Sequence, residues 1–163
     1  MKLSFNKQPV LDTSQLDLFG KNKFQKGDPV WWDGYYPVYT GDNKIEIISK
    51  KQSYYGSVID PESAFFDNKQ TVFVNVLFNT MFIFPENLRL AKLEPVPDKY
   101  AITEGSILFY KANNPDDNNI LEVKNKTYSD SSAYISINVG YSSVLFIDYK
   151  NISNKLFNFV GHY

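Results

Sequence analysis

Few residues in this chain could do covalent chemistry. There is no cysteine, which removes a thiolate nucleophile, a disulfide framework and a thiolate metal site together. The one histidine, His162, is penultimate, where a fraying end is expected rather than a general base. No His or Cys cluster has metal-ligand spacing. Asp116 and Asp117 stand in the run NNPDDNN, but that run lacks the Asp-x-Asn-x-Asn-Gly order of a calcium loop. Asp60 and Glu62 are a carboxylate pair of the kind any acidic surface supplies, and no glycine-rich phosphate loop precedes a helix. The expectation is a protein that is not an enzyme and needs no metal or cofactor. Its chemistry is then recognition.

Two groups of residues suit that. The first is aromatic: Trp31, Trp32, Tyr35 and Tyr36, with Tyr39, Tyr54 and Tyr55 nearby, in a chain with 13 Phe and 12 Tyr. Such rings could line a peptide groove or a cage for a methylated cation, and they equally suit packing beneath loops. Trp31 and Trp32 are adjacent, so on a strand they point to opposite faces and only one can be core. The second group is linear, the segment QLDLF with Gln15, Leu16, Leu18 and Phe19. A few apolar anchors on an extended arm carry most of the affinity in contacts of this type. The same residues would also serve as an extra strand on the first domain or on a neighbouring subunit.

Charge narrows the partners. The formal net charge is −1, and Lys21, Lys23, Lys26, Lys50 and Lys51 are the only local basic concentrations. Without a basic stripe the phosphate term that dominates nucleic-acid affinity is missing, so a protein partner is expected. No apolar run is long enough to span a bilayer and no signal peptide is visible, which suggests a cytoplasmic or virion-associated protein.

The elements that must position these groups read as strands. Residues 71–90, TVFVNVLFNTMFIFPENLRL, put Val72, Val74, Val76 and Phe78 on one face and Phe73, Asn75 and Leu77 on the other. The spacing predicts a hairpin turning at Asn79-Thr80, then a short turn at Pro85-Glu86-Asn87. Phe65 and Phe66 are expected to tuck beneath the domain. Pro95 and Pro97 mark a stiff linker at 95–99, separating an arm (1–24) and a first domain (25–94) from a second (100–163). Past the linker the pattern recurs. Gly105-Ser106-Ile107-Leu108 echoes Gly27-Asp28-Pro29-Val30, and residues 133–152 echo the hairpin. The first copy is the longer, with an insertion expected between Tyr54 and Gln70. No helical stripe is sustained, so the fold class is all-β, small barrels or sandwiches.

On these residues the first copy resembles an SH3-like barrel. A glycine turn opens an aromatic first strand, a tyrosine-bearing loop follows, and a central hairpin ends in the short turn Phe84-Pro85-Glu86-Asn87-Leu88. The likeness covers about 25–94 and, more faintly, 100–163; the acidic loop pattern of signalling SH3 domains is missing, which argues against proline-rich ligands. It implies two tandem SH3-like barrels used as binding modules, such as an assembly or virion component that contacts sister subunits or copies of itself. QLDLF is similar to the pentapeptide by which bacterial replication and repair proteins dock on the DNA sliding clamp. That likeness implies Gln15 as polar anchor and Leu16, Leu18 and Phe19 as apolar contacts.

Overall fold

The structure is a computed structural model that describes residues 24–76, 79–98, 100–128, 133–138, 144–148, 152 and 156–163. The chain divides at Ala91/Lys92 into two compact units, each with its own core. Among the described residues there is no α-helix, and no helix is long and apolar enough to cross a membrane. The architecture is all-β.

The first unit is made of β1 (Pro29–Trp32), β2 (Tyr35–Tyr39), β3 (Ile45–Ser49), β4 (Tyr54–Asp60), β5 (Phe65–Phe66), β6 (Lys69–Gln70), β7 (Val72–Val76), β8 (Asn79–Ile83) and β9 (Leu88–Leu90). Five of these form one antiparallel sheet in the order β8-β7-β4-β1-β9, while β2-β3 and β5-β6 are separate hairpins. Period-two alternation puts Val30 and Trp32 of β1, Val58 of β4, Val72, Val74 and Val76 of β7, and Ile83 of β8 on the core face, all nearly or fully buried. Phe24 joins this core, so the domain begins inside the segment expected to be an arm. Pro29 opens β1, where a missing N–H costs the ladder least.

The second unit has β10 (Ser106–Tyr110), β11 (Asn119–Tyr128), β12 (Ala133–Asn138), β13 (Val144–Asp148) and β14 (Phe157–His162), in the order β13-β12-β11-β10-β14. Ile102, Leu108, Leu121, Val123, Ile152 and Phe157 are its core. The proline segment read as a stiff linker at 95–99 packs on this unit: Val96 lies against its core, and Glu94, just before the segment, exchanges backbone bonds of 2.9 and 2.8 Å with Phe159. Asn114 caps a 3₁₀ turn at Pro115–Asp117 by accepting from the Asp116 amide, which keeps the polar NNPDDNN run at the surface.

The two sheets share one strand order, a four-strand meander with the last strand returning beside the first, and they agree in detail. Gly27 (φ 86°) donates to the Val58 carbonyl at 2.7 Å, and Gly105 (φ 88°) donates to the Val123 carbonyl at 2.8 Å. Each of those valines is the last regular partner before a bulge: the register steps over Ile59 against β7 and over Lys124 against β12. Val58 then faces Val74, as Val123 faces Ile137.

Four further expectations need correction. Among the described residues no sheet closes into a barrel; closure needs pairing between distant edges, which periodicity in the sequence does not encode. The hairpin does not turn at Asn79-Thr80, since Asn79 already pairs with Val76; this register sets Phe73 opposite Phe82 and Val72 opposite Ile83. The extra length of the first copy lies mainly before β4. From glycine to bulge valine is 31 positions (27 to 58) against 18 (105 to 123), whereas from bulge valine to its partner is 16 (58 to 74) against 14 (123 to 137). Hairpin β2-β3 accounts for the difference. His162, expected to fray, is held in β14 opposite Ser106, with its ring bonded to Thr103 and Tyr163.

Candidate protein-interaction surface

The adjacent tryptophans separate as strand geometry requires. Trp32 is 1% exposed. Its indole N–H donates to the Tyr35 carbonyl at 2.8 Å, and its ring lies 6.2 Å from both Tyr36 and Tyr54. Tyr35 is buried too, with its amide on the Asp33 carboxylate at 3.1 Å. Trp31 points to the other face and meets the edge of Tyr55 at 4.5 Å, with Arg89 its neighbour on β9. Burial pushes the Tyr55 hydroxyl above its ordinary value, and the Arg89 guanidinium partly offsets this. The four residues singled out by sequence therefore do not converge: Trp32, Tyr35 and Tyr36 belong to the core and its lining, and Trp31 to the reverse of the sheet. Gln15, Leu16, Leu18 and Phe19 lie outside the described residues.

What the fold brings together is another set of rings. Phe73 of β7 packs on Phe82 of β8 at 4.8 Å with the rings tilted by 35°, and Phe82 lies 5.9 Å from Phe66 of β5. Phe66 is stacked on Tyr39, at the end of β2, at 4.9 Å and an interplanar angle of 11°. Phe84 meets Phe66 edge-on at 6.5 Å. This ridge is open: Tyr39 is 51%, Phe65 60% and Phe82 37% exposed. The expectation that both phenylalanines tuck beneath the domain fails for Phe65, whereas Phe66 is half-buried among Tyr39, Phe82 and Phe84. Their hairpin turns at Asp67 and Asn68, both left-handed (φ 51° and 63°), and this presents Phe65 to solvent. The Asp67 amide donates to the Tyr39 hydroxyl at 3.4 Å, and the Ser63 and Thr71 amides bond across the hairpin base to Thr71 and Ala64.

At the rim, the Lys69 ammonium stands 4.6 Å over the Phe84 ring and forms an ion pair with Glu86. Desolvation lowers the Lys69 pKa. The Asp-Asn pair in FFDNKQ is a turn signal that marks the hairpin, but nothing in the sequence marks the ring contacts that make the ridge. Among the described residues no group of three or more His, Asp or Glu is placed to hold a metal ion. Contact with an apolar partner is what this arrangement can do.

Comparison with protein-family models, with curated proteins and with solved structures returns no match for this chain.

Proposed function

We propose that the chain is a non-enzymatic protein-binding module, two tandem SH3-like units, that grips its partner through the ridge of Tyr39, Phe65, Phe66, Phe73 and Phe82. One observation carries this: a continuous series of rings, Tyr39-Phe66-Phe82-Phe73, in which Tyr39 and Phe82 are more than a third exposed, with the exposed Phe65 next to it on β5, a cluster of the kind that marks an interaction surface. The SH3-like assignment is supported by the repeated strand order, the paired glycine turns and the 3₁₀ turn at Pro85–Asn87 before β9. Such a module suits a subunit of a larger assembly, a virion among them, whose partner is a sister protein or a second copy.

The test is a photo-cross-linking residue in place of Phe65, in the cell of origin. The expected result is one discrete adduct, with the partner identified by mass, that disappears when Phe82→Ser is added. No adduct, or one indifferent to Phe82, sinks the reading.

A second reading rests on the motif at Gln15, Leu16, Leu18 and Phe19, docking on a bacterial sliding clamp. Purified clamp should co-migrate with the chain and be lost on Leu18→Ala with Phe19→Ala. Retained binding by that double variant excludes it.

A further inference from the structure

We propose that the ridge takes a basic, extended segment of its partner, with an arginine or lysine laid across the rings; this rests on the ridge being the binding surface. The first argument is charge. Asp60 is the ladder partner of Phe73, Glu62 and Asp67 are exposed on the segment that carries Phe65 and Phe66, and Glu86 lies two positions past Phe84. Among them Glu86 is already paired with Lys69. In the turn beyond Tyr39, Asp42 and Lys44 offset each other and Glu46 adds another negative charge. The ridge is therefore apolar rings in an acidic frame, although the chain as a whole is nearly neutral. A basic segment answers both features: its charge pairs with the rim and its long side chains cover the rings.

The second argument is that the surface already holds one ammonium. Lys69 stands over the Phe84 ring with its charge on Glu86, the combination a partner's lysine or arginine would meet at Tyr39 and Phe82 with Asp60 and Asp67. Ring faces carry negative potential and attract cations. The other candidate surface lacks this pairing. Trp31 and Tyr55 have the Arg89 cation beside them, not a carboxylate. An acidic segment or a nucleic acid would bring like charge to the rim.

The probe is a synthetic decapeptide alternating arginine and glycine, compared with its citrulline counterpart, which keeps the shape and drops the charge. Binding to the full chain is measured by calorimetry and mapped by amide chemical shifts. The arginine peptide is expected to shift residues 39, 65–69 and 82 and to bind at least about fivefold more tightly than the citrulline peptide. Asp60→Asn with Asp67→Asn should remove most of that difference, and Phe82→Ser should weaken both peptides. Equal binding of the two peptides at the ridge overturns the basic-segment proposal and leaves the ridge as a binding surface. Shifts centred on Asp116-Asp117, or preference for a single-stranded oligonucleotide at the ridge, overturn it as well. If neither peptide shifts the ridge and the Phe65 probe gives no adduct, both readings fall together.

Discussion

The imidazole of His162 lies directly against Gly105, so close that a Cβ at Gly105 would sit 3.0 Å from Cε1. His162 is held there by Thr103, 3.0 Å from Nε2, and by the Tyr163 carbonyl, 2.5 Å from Nδ1. Nδ1 must donate to the carbonyl. In the neutral ring Nε2 therefore accepts from the Thr103 hydroxyl. Gly105 also has φ +88°, a conformation other residues rarely adopt. Gly105→Ala should thus cost about 1–3 kcal/mol, most of it backbone strain. Urea unfolding should show that adding His162→Ala recovers only the smaller, steric part. Full recovery would mean that the ring, not the backbone, sets the requirement.

The tryptophans give an internal contrast. Trp32 is fully buried with its N–H satisfied, so Trp32→Ala is expected to cost about 3–5 kcal/mol. Trp31 is only partly buried and leans on Tyr55. Trp31→Ala should cost clearly less, about 1–2 kcal/mol from lost area and the ring pair. Thermal unfolding of the two variants checks this, and comparable losses would refute the assignment of faces.

Much of this organisation was legible because it is local. Alternation at Val72, Val74 and Val76 declares a strand, and the glycines at 27 and 105 mark the two starts. The ridge was not legible, since a Phe-Phe pair reads as core wherever it falls. Only the left-handed Asp67-Asn68 turn and the packing of Tyr39, 27 positions away from Phe66, place it outside. Sheet closure and the position of the longer insertion failed for the same reason. Both depend on which distant strands pair, and a bulge such as that at Ile59 leaves no periodic trace.

Lys69 ties hairpin β5-β6 to the end of the sheet by two contacts with one ammonium, the Phe84 face and Glu86. With side-chain exposures of 53% and 42%, the ion pair is worth about 0.2–1 kcal/mol, and the ring contact about as much. Lys69→Met keeps the chain length and removes the charge. It is expected to lower stability by about 1 kcal/mol or less, whereas Glu86→Gln in the Lys69→Met background should add almost nothing. Two independent, additive losses would show that the pair does not act as one clasp.

Asp28 carries the clearest pH dependence. Its carboxylate accepts the Gln25 amide at 2.8 Å in the turn before β1. Burial raises its pKa above the ordinary 3.8, and the Gln25 hydrogen bond only partly opposes this. A carboxyl whose folded pKa exceeds its unfolded value binds a proton on folding. Its contribution is complete below 3.8 and is lost as pH rises through the folded value. At neutral pH the ionised group is therefore a cost. Asp28→Asn keeps an oxygen for the Gln25 amide and avoids the charge. The variant should match or exceed the parent in stability at neutral pH, by under about 1 kcal/mol. The advantage should shrink as the pH falls toward 3.8 and the parent takes up its proton. Urea midpoints measured across that range decide it. An advantage that instead grows in acid would mean that Asp28 is stabilised as a carboxylate, with the hydrogen bond outweighing burial.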